Sequence, residues 1–198
     1  MKKVIKLGLL SVALLSTVVI NASEKLKVTV ASNKAKMLAI SLTEVSQGEI
    51  IHIKDFKGEV LFSEKLKKSE TYTKVFSFST LPFGLYFVES RDNEKVQVSP
   101  VVVNKDGVAL VDKAMKTYLT PKVSVKGDIL NVSIRNYNKV NVAISIYDNA
   151  GTLLNKTKGN TNTLVFGNYN ISELKSETEK LTISVTTGDY NFIEEIEL

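Results

Sequence analysis

An all-β chain carrying two similar sandwich domains is what three features of this sequence predict. They are a period-two alternation of apolar and polar residues, an internal repeat, and turn chemistry placed between the alternating runs. In a pleated strand successive side chains point to opposite faces, so alternation turns one face to a core and the other to water. Leu26, Val28 and Val30 alternate in this way, as do Leu38, Ile40 and Leu42, and Ile51 and Ile53. Later in the chain the pattern returns in Leu130, Val132 and Ile134, in Val140, Val142, Ile144 and Ile146, and in Leu181, Ile183 and Val185.

The repeat is read at a constant offset of 93 residues. Ile51, Ile53, Asp55, Gly58 and Leu61 align with Ile144, Ile146, Asp148, Gly151 and Leu154, and Phe76, Phe78, Ser79 and Leu81 with Tyr169, Ile171, Ser172 and Leu174. Each copy holds too many strands for a one-layer solenoid unit, so the repeat is a duplicated domain. Turn residues punctuate both copies at Ser46-Gln47-Gly48, Asp55 to Gly58, Asp92-Asn93, Asn149-Ala150-Gly151 and Gly188-Asp189. Roughly seven short strands in each copy is the expectation for an immunoglobulin-like sandwich. The expected division is a leader over 1–22, a first sandwich over 23–104, a linker over 105–120 and a second sandwich over 121–198. Within the linker Val108 to Val111 is expected to make a short strand, and Asp112 to Tyr118 a helical turn or plain connection.

The leader reading rests on Lys2, Lys3 and Lys6 followed by an uncharged run from Leu7 to Ile20 and the small residue Ala22. That is the layout of a signal peptide cut after Ala22, with Ser23 as the alternative, and the apolar run is shorter than the roughly 20 residues a membrane span needs. More than half of the formal charge of +5 belongs to those three lysines. The expected mature protein therefore has no membrane span and is secreted, periplasmic or at the cell surface. The basic run Lys65, Lys67 and Lys68 is flanked by Glu64 and Glu70, a solvated mixed-sign face rather than a nucleic-acid stripe.

The chain has no cysteine and one histidine, His52, which the strand pattern points away from the core. A thiolate nucleophile, a disulfide framework and a His-rich zinc site are excluded, and a Ser-His-Asp set would have to be built on His52 itself. The visible acids sit in turns or among lysines. Asp55 and Asp148 are read as acceptors for turn amides, with calcium ligation the sharper alternative. No cofactor is expected, and the chain is read as not an enzyme.

Phe83, Leu85 and Phe87 alternate with Gly84, Tyr86 and Val88, so this strand is apolar on both faces. With Tyr86 and Val88 in the core, the other three need cover from the second domain, from the linker or from an external partner, and they are the candidate partner-binding residues. The expected partner is a protein or a cell-envelope glycan. Exposed tyrosines among Tyr72, Tyr118, Tyr137, Tyr147, Tyr169 and Tyr190 keep a carbohydrate-binding module as the alternative function, although the chain has no tryptophan.

Ile51, Ile53, Asp55, Gly58, Val60, Leu61, Leu81, Gly84, Tyr86 and Val88 form a strand, an Asp-x-x-Gly turn, an apolar strand and a Leu-x-x-Gly-x-Tyr-x-Val hairpin. This arrangement resembles the small sandwich domains of exported Bacteroidetes proteins, including type IX secretion C-terminal sorting domains. The second copy keeps Asp148, Gly151 and Leu174 but lacks the Gly-x-Tyr element. The resemblance implies a sandwich fold and an export route. A sorting signal closes its chain, often with a basic tail, whereas this sequence closes on Glu194, Glu195, Ile196, Glu197 and Leu198, so the fold and the export route are carried over ahead of the sorting role. A secretion-sorting-like domain protein stands beside the carbohydrate-binding module as an alternative function.

Overall fold

The computed structural model describes residues 25–111 and 114–198; the leader expected over 1–22 lies outside them. The strands in chain order are β1 (Leu26–Ser32), β2 (Met37–Val45), β3 (Ile50–Asp55), β4 (Val60–Lys65), β5 (Ser69–Ser77), β6 (Gly84–Arg91), β7 (Lys95–Asn104), β8 (Gly107–Leu110) and β9 (Lys116–Leu119). Then come β10 (Lys122–Lys126), β11 (Ile129–Arg135), β12 (Val142–Tyr147), β13 (Leu153–Lys156), β14 (Leu164–Asn170), β15 (Lys180–Thr187) and β16 (Tyr190–Glu197).

The same sandwich is built twice. A three-stranded sheet in the order β1-β2-β5 faces one in the order β4-β3-β6-β7, and β10-β11-β14 faces β13-β12-β15-β16, all pairs antiparallel. The alternating residues fill the space between sheets as read: Leu38, Ile40, Ile51 and Val88 in the first core, Leu130, Val132, Ile144 and Ile183 in the second. His52 lies half-buried on the far side of β3.

The two Asp-x-x-Gly turns coincide in detail. Asp55 and Asp148 donate their amides to the carbonyls of Glu59 and Thr152 at 3.0 and 3.1 Å, and their own carbonyls accept from Gly58 and Gly151 at 3.1 Å. The Asp55 carboxylate accepts from the amides of Lys57 and Glu59, and that of Asp148 from Thr152 at 2.7 Å. Those amides hold the Asp148 carboxyl below its ordinary range. Gly58 and Gly151 have φ of 87° and 80°, and beside each turn the register shifts at the equivalent residue pair, Ile53/Lys54 and Ile146/Tyr147. The acids of these turns are therefore occupied by backbone amides, and no cluster of three or more metal-binding side chains occurs among the described residues.

The stretch read as a linker is built into the first sandwich. β8 pairs with the C-terminal half of β7, and β9 with its N-terminal half, so the two together run along one edge as an interrupted strand. Where a helical turn or plain connection was expected, Lys116–Leu119 is extended. Four residues are too few for a periodic signal, and their conformation is set by the unpaired backbone of β7 beside them.

Alanine at Gly58 or Gly151 is expected to cost roughly 1 kcal/mol or more, because a Cβ at positive φ is strained whatever space surrounds it. Nothing lies within 4 Å of either added Cβ, so the two losses should be equal within error in urea unfolding of the two single variants.

Candidate interaction surface

β6 is apolar on both faces as the sequence requires, and its outward residues meet different fates. Tyr86 and Val88 are buried in the first core. Phe87 packs against the core of the second sandwich. Leu85 is 36% exposed and Phe83, just before the strand, is 66% exposed. The three candidate residues are thus not one patch: the second domain covers Phe87, and Phe83 and Leu85 remain at the surface.

The junction that takes Phe87 draws on neighbours the sequence reading did not single out. Val96 and Val98, on the outward face of β7, belong to the second core, while Val101 and Val103, on its inward face, belong to the first. Tyr118 of β9 also packs there and stacks on Tyr190 of β16 at 4.6 Å, and Tyr190 meets Phe192 edge-on at 4.9 Å. Glu89 is buried beside them, accepting from Lys54 at 2.6 Å and from the Tyr190 hydroxyl at 3.2 Å. Burial and the Glu89 carboxylate push the Tyr190 hydroxyl above its ordinary pKa. Arg91 forms an ion pair with Glu194 at the rim. The available signal was Val96, Val98 and Val101 to Val103: like β6, this strand is apolar on both faces.

The corner that carries Phe83 is tied to β6 by a hydrogen bond. The Tyr86 hydroxyl donates to the Pro82 carbonyl at 2.7 Å, a bond from the start of a strand back to the preceding corner that pins such loops in related sandwiches. Lys36 places its Nζ 4.5 Å from the centre of the Phe83 ring. Lys36 itself has φ of 50°, and its carbonyl accepts from the Phe78 amide at 2.8 Å.

A second concavity, of about 750 Å³, lies between β9 and the loops at the near end of the second sandwich, where Tyr118, Arg135, Tyr137, Asn138 and Asp189 line it. Asp189 accepts from the Tyr118 hydroxyl at 2.7 Å and pairs with Lys116; hydrogen bonds from Lys116 and then Tyr118 keep its carboxyl below the usual range. Tyr137 is 54% exposed.

The class this geometry defines is a pair of antiparallel sandwiches of immunoglobulin-like build, joined through a packed apolar junction. Residues 34–104, about a third of the chain, match the family model described as the secretion system C-terminal sorting domain. This is the family that the Asp-x-x-Gly and Gly-x-Tyr elements resembled, and a segment of this kind marks an exported protein. In the present chain the matched segment is followed by a second sandwich.

No curated protein matches the chain. Among solved structures it is similar to native alpha-2-macroglobulin from Escherichia coli spanning domains MG0-NIE-MG1, with 7% identity and a TM-score of 0.31 over 87% of this chain and 64% of that one. It is also similar to the BSP domain of a biofilm associated protein, with 11% identity and a TM-score of 0.25 over 88% and 29% of the two chains. Tp47, the 47-kilodalton lipoprotein of Treponema pallidum, matches at 9% identity with a TM-score of 0.28 over 86% and 48%. The chain spans less than two thirds of the length of each of these, and at such TM-scores the likenesses carry no weight for fold or function.

Replacing Phe87 with Asp is expected to destabilise the protein by about 3 kcal/mol or more in thermal or urea unfolding, because it opens a cavity in the junction and buries a charge there. Replacing the exposed Phe83 with Asp should stay within about 0.5 kcal/mol of wild type. His52 gives a pH signature. Burial, and then Lys54, lower its pKa from the ordinary 6.5. The unfolded chain then binds the proton more readily, so stability falls as pH drops below about 6.5, and a His52→Gln variant should lose that slope in urea titrations at stepped pH.

Proposed function

We propose that this chain is an exported, non-catalytic interaction protein whose two locked sandwiches present Phe83 and Leu85 to a partner. The observation that carries the reading is the contrast within one strand: Phe87 is consumed by the domain junction, while Phe83 stands exposed on a corner fixed by the Tyr86 bond to Pro82. A large aromatic side chain held in place before binding loses little entropy on contact and is the usual kind of interface anchor. The match over residues 34–104 favours the cell surface or the medium over the periplasm.

What supports a non-catalytic role is the setting of the single histidine. His52 stands in a cross-strand row with Ser63 and Glu89, the residue types of a nucleophile, base and acid. Glu89 is taken by Lys54 and Tyr190, and among the described residues no hydrogen bond joins His52 to either neighbour. The row lies on a sheet face, without the converging amides that an oxyanion requires.

Glycan binding is the second reading, favoured by the concavity beside β9, where Tyr118 and Tyr137 offer rings and Arg135, Asn138 and Asp189 offer polar groups. Pull-down from the native cell envelope, run beside a glycan array, separates the two. Wild type should capture a partner and the Phe83→Asp variant should not, with Tyr137→Ala unaffected. Loss of array binding in Tyr137→Ala, with capture intact in Phe83→Asp, would replace the first reading by the second.

A further inference from the structure

The shared register of the two sandwiches allows the seam between their sheets to be compared position by position. In the first sandwich Phe62 of β4 stands opposite Ile53 and Phe76 of β5 opposite Leu38, and the two rings meet edge-on at 4.8 Å across the seam. Lys74 lies over both, its Nζ 4.9 and 5.5 Å from the ring centres, and is held there by Glu64 at 2.8 Å. An aromatic ring with a lysine above it closes this edge.

In the second sandwich the position opposite Ile146 is Asn155, the one opposite Leu130 is Tyr169, and Gly167 takes the place of Lys74 opposite Val132. One ring and the lysine are missing. The remaining ring leans over Gly167, where a Cβ would come within 2.3 Å of the Tyr169 hydroxyl oxygen. The seam is an open cleft of about 490 Å³ whose lining includes Ile146, Ile171, Leu174, Asn155 and Glu173. The Tyr169 hydroxyl is buried there without a hydrogen-bond partner, a condition that native interiors seldom leave unanswered. The cleft is reachable, because β13 and β14 are both sheet edges.

The missing unit is displayed elsewhere on the molecule. Phe83, with Lys36 above its ring, is an exposed aromatic–lysine pair on a fixed corner, and Lys36 is complementary in charge to Glu173 at the cleft. We infer that the partner of the Phe83 corner is a second copy of this chain, whose β13–β14 seam receives the Phe83 ring beside Asn155, where the first sandwich has Phe62, with the Lys36 ammonium directed to Glu173. The inference rests on the reading of Phe83 as an interaction residue. Because the ring belongs to the first sandwich and the cleft to the second, the contact is head-to-tail and continues from copy to copy.

Sedimentation velocity of the full chain without its leader tests this. The wild-type mass should rise with concentration from the micromolar to the millimolar range, and Phe83→Asp and Asn155→Phe should each sediment as single chains. Asn155→Phe restores the missing ring, so it should melt at or above wild type; a clearly lower melting temperature would mean that the seam has no room for a ring and would overturn the inference. An equimolar mixture of the two variants should give a one-to-one dimer, since one supplies an intact cleft and the other an intact Phe83. A wild type that stays single at every concentration, variants that assemble like wild type, or a mixture without dimer overturns it. If Phe83→Asp loses envelope capture while wild type sediments as one chain, the interaction reading stands and self-association falls.

Discussion

β7 is buried on both faces along one continuous strand, and the rest of the architecture depends on that. Its inward residues Val101 and Val103 close the first core, and its outward residues Val96 and Val98 enter the second. Apolar side chains of this size are worth about 1.5 to 3 kcal/mol each when removed from water. A strand shared in this way couples the two sandwiches more tightly than a flexible tether would. The edge strands β8 and β9 follow from the same constraint: the long free edge of β7 needs a partner, and the connecting chain supplies one before it enters β10.

Polar groups near the junction are arranged so that burial does not leave charge unpaired. Glu89 is acceptable at the domain contact because Lys54 and the Tyr190 hydroxyl both reach it. Around the start of β3 and the end of β6, the buried Glu49 pairs with Lys25 at 2.5 Å and also accepts from the Ser90 hydroxyl at 2.6 Å and the Ser46 amide at 2.9 Å. Such a pair adds little net stability against an apolar substitute, yet removing one partner leaves a buried charge. Beside it the Leu26 amide donates to the Gln97 side chain at 3.0 Å, so the start of β1 is held in place against β7 by polar contacts at one location.

The duplication separates what the fold demands from what each copy is free to change. The Asp-x-x-Gly turn, its positive-φ glycine and the register shift beside it are the same in both copies, because they set how β3 and β12 hand over to the following strand. The corner before β6 and the β4–β5 seam are different. The first copy has the Tyr86 corner and a seam filled by Phe62, Phe76 and Lys74, while the second has Leu181 of β15 at the position of Tyr86 and an open seam beside Tyr169. Leu181 keeps the position of Tyr86 filled inside the core, so of the two changes it is the open seam that alters the outer surface of the second sandwich.

The sequence by itself determined the all-β class, the duplication and its offset, the two Asp-x-x-Gly turns, and the inward residues of most strands. These are local properties: alternation and turn chemistry act over a few residues, and the repeat only needs two stretches to be compared. It also showed that β6 is apolar on both faces, without deciding what covers the second face. Tertiary structure alone decided that Phe87 belongs to the domain junction and Phe83 to the surface, that Lys116 to Leu119 is a strand, and that Val96, Val98 and Tyr118 complete the second core. Each of those outcomes depends on a neighbour distant in the chain. Whether an outward side chain is covered is settled by where another sheet comes to rest, and neither periodicity nor spacing encodes that position.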